Sequence, residues 1–441
     1  MTGLNAGDIA GITHGRLVGG DAAAPVSGAV IDSRKAAPGI MFCALKGERA
    51  DGHDYIAASL ALGAPCALAE RVPDGVTGGV IIVPDVAKAM AKLAAYCRSQ
   101  FTGPVVGIVG SSGKTTTKEM VANVMAERFN TLRTEGNLNN ELGVPLTLFR
   151  LDDNTGAAVV ELGISDFGEM TRLGNMAKPD IAVYTLIGRS HLNALHDLDG
   201  VMRAKGELLD VMRPDALVIV NGDNAHLAAL KCRQRKLTYG LGKNCDVRAE
   251  NLSATGSEVS FDIVRGGTRF NVKIPAYGRH LVYAALAAAT VGFELGLHAG
   301  KIAEGLSKYA PVGSRARVVH EHGITVVDDC YNSNPDSCSM AIESASDLPG
   351  RLVCVLGDML NLGPDSAKMH AEVGVLAKKH AALLLCAGDE SSNMGSVHFD
   401  SVEELIAALP DYIRPGDTVL VKASRGMRFE RVVDALLSRD W

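Results

Sequence analysis

The residues with the most distinctive chemistry form a short segment, rich in glycine and hydroxyl side chains, that ends on lysine and threonine. Its members are Gly110, Ser111, Ser112, Gly113, Lys114, Thr115 and Thr116. Backbone N–H groups of such a loop, together with the N-terminus of a following helix, can surround a polyphosphate. The lysine then contacts the β- and γ-phosphates, and the first threonine binds magnesium. The segment predicts nucleotide binding, with Lys114 facing solvent before a nucleotide arrives, but it does not separate a kinase, GTPase, motor or ligase.

Three residues farther along the chain have the chemistry to complete a phosphoryl-transfer site. Glu161 ends the apolar run 157–161, and a carboxylate at the carboxyl end of a parallel strand can bind Mg²⁺. His191 follows another strand end, and Lys205 starts or lies within a predicted helix. Taken singly, a structural histidine and an exposed lysine are the ordinary interpretations. Their occurrence together with a phosphate loop favours one common site.

The predicted elements place these residues at one edge of a sheet. Short apolar runs alternate with helical patterns at 104–110, 157–162, 180–186 and 215–220. A second series of runs occupies 324–328, 351–356, 382–387 and 417–422. Each series predicts a parallel sheet with crossover helices. The helix that follows the phosphate loop is expected from Thr115 to about Phe129. Segment 246–275 alternates polar and apolar residues, which predicts an antiparallel hairpin.

The periodicity changes twice along the chain, near residue 100 and near 311, where Pro311-Val-Gly-Ser interrupts it. A chain of 441 residues is also too long for one ordinary core. We therefore predict an α/β protein with three domains. They are a small α/β N-terminal domain at 1–100, a central P-loop ATPase domain with a parallel sheet at 101–310, and a C-terminal Rossmann-like α/β domain at 311–441.

Composition narrows the classes of function. The chain is 47% hydrophobic and 21% charged, which is typical of a globular protein, and its net charge of -6 argues against general nucleic-acid binding. No apolar run is long enough to span a bilayer, and the first residues lack the pattern of a signal peptide. The nine cysteines are scattered without a C-x-x-C pair, which indicates reduced thiols. We expect a cytoplasmic monomer.

Motifs spread along nearly the whole chain resemble those of the Mur ligase family. In the N-terminal third they are Asp32-Ser-Arg, Lys46-Gly-Glu and Asp51-Gly-His. The middle adds, beside the phosphate loop, Gly136-Asn-Leu-Asn-Asn-Glu-Leu-Gly-Val-Pro145, Glu161-Leu-Gly and Ala204-Lys-Gly-Glu. The C-terminal third has Asp328-Asp-Cys-Tyr-Asn-Ser-Asn-Pro-Asp-Ser337, Leu356-Gly-Asp-Met-Leu-Asn-Leu-Gly363 and Val421-Lys-Ala-Ser-Arg425. The Asn-Asn-x-x-Gly-Val-Pro and Asp-x-Tyr-Asn-x-Asn-Pro elements are the most specific. They resemble the branch that adds D-alanyl-D-alanine to UDP-N-acetylmuramoyl-tripeptide.

The resemblance implies an ATP- and Mg²⁺-dependent ligase that activates a carboxylate as an acyl phosphate, with the acceptor held by the first domain, ATP by the second and the amine by the third. It implies one magnesium on Thr115 and Glu161 and a second on His191 and a carbamylated Lys205. The implied catalytic residues are Lys114, Lys205, His191 and Asn140. The implied nucleotide contacts, beside the phosphate loop, are Asn139, Arg315 (or Arg317 in its place) and Asp329, the last to the ribose. The implied substrate contacts are Ser33, Arg34, Lys46, Tyr331, Asn332, Asn334 and Asp358.

The chain departs from the family pattern where a helix is expected to lie under the adenine. The family's His-Asn-x-x-Asn is His280-Leu281-Val-Tyr-Ala284 here, so two amide side chains that could contact the base are missing. Two alternatives stay open on the sequence. One is another Mur-type or folylpolyglutamate-type ligase that adds a single amino acid, and the other is a nucleotide-binding relative without turnover. Lysine and meso-diaminopimelate are equally compatible with the third peptide position of the acceptor.

Overall fold

The computed structural model describes all residues from Met1 to Trp441. Its N-terminal domain contains short strands and three helices. Its strands are β1 (Leu4–Asn5), β2 (Arg16–Val18), β3 (Pro25–Val26), β4 (Gly28–Val30), β5 (Ile40–Cys43), β6 (Ala67–Ala69) and β7 (Val80–Ile82). Its helices are α1 (Ala6–Thr13), α2 (Ile56–Ala61) and α3 (Val86–Gln100). Strands β4 to β7 form a parallel sheet that β2 extends with an antiparallel pairing, while β1 pairs with β3.

The central domain contains one sheet of nine strands. They are β8 (Val105–Val109), β9 (Thr131–Arg133), β10 (Ala157–Glu161), β11 (Ile181–Tyr184), β12 (Leu217–Asn221), β13 (Arg235–Gly240), β14 (Val247–Ala254), β15 (Val259–Arg265) and β16 (Thr268–Ile274). The sheet order is β16-β15-β14-β13-β12-β11-β8-β10-β9. Strands β8 to β14 pair in parallel, and β15 and β16 form the antiparallel hairpin predicted within 246–275. The hairpin continues the parallel sheet through β14, which the sequence pattern did not predict.

The central domain also contains eight helices. They are α4 (Lys114–Ala126), α5 (Gly143–Leu148), α6 (Glu169–Ala177), α7 (Leu192–Leu195), α8 (Leu198–Val211), α9 (Ala225–Ala228), α10 (Leu281–Glu294) and α11 (Ala299–Ser307). All five residues of β8 are buried, and alternate side chains enter different cores: Val106 and Ile108 pack with α4 and α10, whereas Val105 and Val109 pack on the opposite face. A parallel sheet covered on both faces needs such an uninterrupted apolar strand.

The C-terminal domain has a six-stranded sheet of order β17-β18-β22-β19-β20-β21. Its strands are β17 (Arg317–Glu321), β18 (Ile324–Asp328), β19 (Leu352–Gly357), β20 (Leu383–Ala387), β21 (Val397–Phe399) and β22 (Thr418–Lys422). Its helices are α12 (Pro335–Ala345), α13 (Ser366–His380), α14 (Val402–Tyr412) and α15 (Glu430–Leu437). Only β17 is antiparallel to its neighbour, so the predicted Rossmann-like arrangement is confirmed. None of the helices in the chain is long and apolar enough to cross a membrane.

Candidate active site

A cavity of about 510 Å³ lies between the central and C-terminal domains, at the carboxyl ends of strands from both sheets. Strands β9 and β10 lie on one side of β8, and β11 and β12 lie on the other, so the strand order switches direction at β8. Ligands bind at such a switch point in open α/β sheets. Fifteen of the predicted site residues line this interdomain cavity: Ser111, Ser112, Gly113, Lys114, Thr115, Thr116, Asn139, Asn140, Glu161, His191, Arg315, Asp329, Tyr331, Asn332 and Asn334.

The phosphate loop joins β8 to α4 and is held in place by the neighbouring strand end. Gly113 has a φ of 79°, in the left-handed region that glycine adopts without a Cβ clash. A Cβ on Gly110 would lie 1.9 Å from Thr185 Oγ1, so the close approach also requires glycine there. The Thr185 hydroxyl donates to the carbonyl of Ser112 over 2.6 Å. The loop is therefore already shaped, and it leads directly into the N-terminus of α4, a position suited to binding phosphate.

Lys114, which was expected to face solvent, is only partly exposed in the cavity lining, and its ammonium is hydrogen-bonded to the loop. Its ammonium donates to the carbonyl of Gly110 over 2.8 Å and to that of Ser111 over 3.4 Å. Burial lowers the pKa of Lys114, while the nearby carboxylate of Glu161 acts in the opposite direction. The physical reason is that the tight loop places the carbonyls of Gly110 and Ser111 within reach of the Lys114 ammonium, which donates to both. A bound phosphate would compete for this ammonium as a charged acceptor.

Thr115 and Glu161, which were predicted to share a magnesium ion, are in contact. The Thr115 hydroxyl donates to Glu161 Oε2 over 2.9 Å, and the Asn139 amide donates to Oε1 over 2.8 Å. Glu161 is 2% exposed, and no lysine or arginine neutralises it by an ion pair. A buried carboxylate beside a hydroxyl oxygen fits a hard cation such as Mg²⁺. No cluster of three His, Cys, Asp or Glu side chains is present, so nucleotide oxygens and water would supply the remaining ligands.

His191 and Lys205 approach the same site from α7 and α8. His191 precedes α7 with a φ of 54°, which turns the chain sharply at this point. Burial, followed by the charges of Lys205 and Lys114, lowers the pKa of His191 to about 4. Lys205 lies behind the cavity lining and is only 1% exposed, without an ion pair; burial, followed by the charge of Lys114, lowers its pKa well below the ordinary value. The environment of Lys205 thus favours the neutral amine.

The C-terminal domain contributes an arm of side chains opposite the phosphate loop. The guanidinium of Arg315 lies 3.8 Å from the ring centroid of Tyr331. Asp329 accepts the Ala316 N–H over 3.1 Å and the Lys422 ammonium over 2.6 Å. Arg315 lines the cavity, whereas its alternative Arg317 belongs to β17 and does not.

Two of the predicted asparagines also fix the backbone. The side-chain oxygen of Asn140 accepts from the N–H groups of Leu142 and Gly143 at the start of α5. The Asn334 oxygen caps α12 by accepting from the Ser337 N–H over 2.8 Å, and its amide donates to Ser112 Oγ over 3.0 Å. Asn334 therefore links the C-terminal domain directly to the phosphate loop.

Four predicted substrate residues and Gly110 lie outside the cavity lining. Arg34, beside Ser33 in the N-terminal domain, is exposed and pairs with Asp32 over 2.8 Å. The backbone of Lys46 pairs with that of Asp51 in an isolated antiparallel β-bridge. Asp358 is buried at the end of β19, where it accepts the N–H of Ser391 over 2.7 Å. The structure thus does not bring the four substrate residues Ser33, Arg34, Lys46 and Asp358 together with the phosphate loop.

The two residues that replace the family asparagines are not in the cavity. Leu281 and Ala284 are 2% and 4% exposed and belong to the apolar core around α10. In this structure Leu281 and Ala284 pack inside the core because α10 is mostly apolar and most of its residues are buried. His280 does line the cavity, and its buried Nδ1 lacks a hydrogen-bond partner. Such an orphaned polar atom fits a ligand with hydrogen-bonding groups, as a nucleotide has.

Sequence reasoning did not include Lys422 and His280 among the site residues. Lys422 is 3% exposed and donates to the Asp329 carboxylate and to the carbonyl of Asn332 over 2.9 Å. A signal was available for it, because Lys422 ends the apolar run 417–422 as Glu161 ends its own run. For His280 the signal was its place at the beginning of a helical pattern.

Comparison with known proteins gives matches along all three domains. The descriptions that match are "Mur ligase family, catalytic domain" at 25–98, "Mur ligase middle domain" at 108–292 and "Mur ligase, glutamate ligase domain" at 314–425. The UDP-N-acetylmuramoyl-tripeptide–D-alanyl-D-alanine ligase of Escherichia coli (strain K12) is 34% identical, with 99% of each chain covered. The ligase of the same name from Bacillus subtilis (strain 168) is 33% identical, with 93% of each covered.

Solved structures give the same result. A MurF crystal structure from Acinetobacter baumannii has a TM-score of 0.91 at 29% identity, with 99% of each chain covered. A MurF ligase from Thermotoga maritima in complex with ADP has a TM-score of 0.84 at 28% identity and covers 93% of this chain and 97% of its own. With three matching domains and relatives similar over their full length, the chain belongs to the Mur ligase family.

Proposed function

We propose that this chain uses ATP to join D-alanyl-D-alanine to UDP-N-acetylmuramoyl-tripeptide, a step of peptidoglycan precursor synthesis. The observation that carries the proposal is the cavity itself. It combines a formed phosphate loop, a buried Thr115–Glu161 pair and the polar arm of the C-terminal domain. The curated relatives that match over nearly the whole chain have this activity in their names.

The reaction needs an activated carboxyl group, because a carboxylate is a poor electrophile. A carboxylate oxygen of the acceptor attacks the γ-phosphorus of ATP, the bond to the bridging oxygen breaks, and ADP leaves with an acyl phosphate formed. The loop N–H groups and Lys114, released from the Gly110 carbonyl, would stabilise the charge on the transferred group. The dipeptide amine then attacks the acyl carbon, inorganic phosphate leaves, and the amine loses a proton to form the amide.

The residues present fit two magnesium ions. Thr115 and Glu161 would hold one, and His191 with a carbamylated Lys205 would hold the other. When bound, these ions neutralise phosphate oxygens. Carbamylation requires a neutral amine to attack carbon dioxide, and the burial of Lys205 without an anionic partner supplies that form. The product is a carboxylate on a long stem, a suitable oxygen ligand for Mg²⁺.

The C-terminal arm would hold the nucleotide and the amine substrate. Asp329, fixed by Lys422, would accept from the ribose hydroxyls, and Arg315, stacked on Tyr331, would contact the phosphates. Asn139 and Asn140 would contact the phosphate region and the acyl end. Asn332 and Asn334 border the same space and would contact the dipeptide.

The remaining assignments concern the three domains as wholes. We propose that residues 1–100 bind the UDP-sugar acceptor through Ser33, Arg34 and Lys46. Residues 101–310 would bind ATP, and residues 311–441 would bind the dipeptide, with Asp358 shaping that surface. All nine cysteines are free thiols, which supports a reducing cytoplasm. We also propose that the chain acts as a monomer.

The decisive assay is phosphate release from ATP in the presence of a UDP-linked acceptor and an amine. We expect release with UDP-N-acetylmuramoyl-tripeptide and D-alanyl-D-alanine together, and none with either alone. Acceptors with lysine or meso-diaminopimelate at the third position, and single amino acids in place of the dipeptide, complete the panel. Release only with a single amino acid, or binding of ATP without any release, would reject the proposal in favour of another ligase or a silent relative.

A further inference from the structure

The N-terminus of α12 contacts two loops of the central domain at once. Asn334, which caps the helix, donates to Ser112 Oγ in the phosphate loop over 3.0 Å. Two residues later Asp336, in the first turn, binds the loop that leads from β11 to His191. These contacts join the C-terminal domain to both sides of the catalytic crevice.

Arg189 makes the second contact through several hydrogen bonds to one carboxylate. Its backbone N–H donates to Asp336 Oδ2 over 2.6 Å, and its guanidinium donates to Oδ1 through Nε at 3.1 Å and Nη2 at 3.0 Å. The same guanidinium donates to Glu372 of α13 over 2.7 Å. The side chains of Arg189 and Asp336 are only 28% and 26% exposed. Because Oδ1 accepts two guanidinium N–H groups and Oδ2 accepts the backbone N–H, the orientation of the carboxylate is fixed as well as its distance.

The loop that carries Arg189 is in turn fastened to the phosphate loop. Ser111 Oγ donates to the carbonyl of Gly188 and accepts the N–H of the same residue, both over 3.0 Å. A Cβ on Gly188 would lie 2.5 Å from Asp336 Oδ2, so only glycine lets the carboxylate approach the backbone this closely. Ser111, Gly188 and Asp336 thus form one continuous path between the two domains. His191 lies two residues beyond Arg189 on the same turn.

We propose that Arg189 is a positioning residue, which through Asp336 couples the placement of the C-terminal domain to the phosphate loop and to His191. The proposal deepens the ligase function proposed above and rests on it for its kinetic readout. The domain contact orients groups that act on the transferred phosphate, and it need not touch substrate. Its loss should therefore reduce turnover more than nucleotide affinity.

The test compares Arg189→Ala with a matched control, Arg279→Ala. Arg279 also forms an interdomain ion pair, with Asp347 over 2.9 Å, but it is 63% exposed and has no bond to either loop. We expect Arg189→Ala to lower kcat by about 10²-fold, the loss typical of a reacting group displaced by about an ångström, with the Kd for ADP unchanged. Arg189→Lys should recover part of kcat, and Arg189→Ala with Asp336→Ala should be no worse than the worse single variant. The control should keep wild-type kcat.

Hydrogen exchange measured by mass spectrometry gives a readout that does not depend on turnover. If the coupling exists, Arg189→Ala speeds exchange in the phosphate loop at 110–114 as well as around residues 186–191, and Arg279→Ala does neither. Faster exchange confined to the mutated loop, additive effects of the two substitutions, or an equal loss of kcat in the control would overturn the proposal. If the wild-type chain releases no phosphate, the ligase function fails, and the exchange data still decide the coupling.

Discussion

Replacing Lys205 by methionine should make the protein more stable and inactive at the same time. The lysine is 1% exposed in α8, with no carboxylate in ion-pair contact, and burial lowers its pKa well below the ordinary value. Folding therefore removes the hydration that the ammonium has in the unfolded chain and favours the neutral amine. Methionine keeps an unbranched apolar stem of similar length without the amine, so this unfavourable contribution to folding is absent.

The size of the effect follows from the burial. An unpaired polar group in a protein interior costs ~1–3 kcal/mol, which for a domain of this size corresponds to a rise in Tm of roughly 2–12 °C. The lowered pKa also determines how the stability difference changes with pH. A lysine with a lowered folded pKa destabilises the protein at neutral pH, and this contribution shrinks as pH rises toward the ordinary pKa of about 10.4, where the unfolded chain also loses its proton. The stability difference between the two proteins should therefore be small near pH 10 and should grow as the pH is lowered toward the folded pKa of Lys205.

Calorimetry of the transition of the central domain measures this difference, in buffer free of carbon dioxide and divalent metal so that lysine remains an amine. Phosphate release measures activity, where Lys205→Met should be inactive and Lys205→Ala should be partly restored by a short carboxylic acid in solution. A Lys205→Met protein that is less stable than the wild type would refute the burial argument. One that keeps most of its turnover would refute the proposed metal-binding role.

Three further substitutions test other residues of the site and the core around α10. Lys114→Ala should lower turnover by about 10²–10³-fold with an unchanged Tm, because the lysine contributes a charge contact at the transferred phosphate. Near-wild-type turnover would contradict the assignment of Lys114 as a catalytic residue. Leu281→Asn with Ala284→Asn should lower stability by roughly 1–3 kcal/mol per buried amide without sharpening the preference for ATP over GTP, and a sharper preference would show that both side chains reach the base. Lys422→Met should cost ~3–5 kcal/mol by leaving the Asp329 carboxylate unpaired, and a urea midpoint equal to wild type would contradict that.

Much of the fold and part of the site are local properties of the sequence. The run that becomes β8 is apolar at every position because both faces of a parallel strand are covered, and the phosphate loop follows directly from it. The end of β10 placed Glu161 at the carboxyl edge for the same reason. Such features depend on neighbours within a few residues, and they were predicted correctly: α4 begins at Lys114, one residue before the expected start.

Tertiary packing decided which distant residues meet and which side chains are buried. Ser112 and Asn334 are 222 positions apart and touch only because two sheets present their carboxyl ends to each other. Leu281 and Ala284 entered the core because α10 is surrounded by other elements, which a motif alignment does not register. The sequence around Lys205 is that of an ordinary helical lysine, and its side chain is removed from water only because α8 packs against the sheet. Neighbours along the chain thus set the local chemistry, whereas burial and long-range contacts, which shift pKa values and bring distant groups together, depend on how the elements and domains pack.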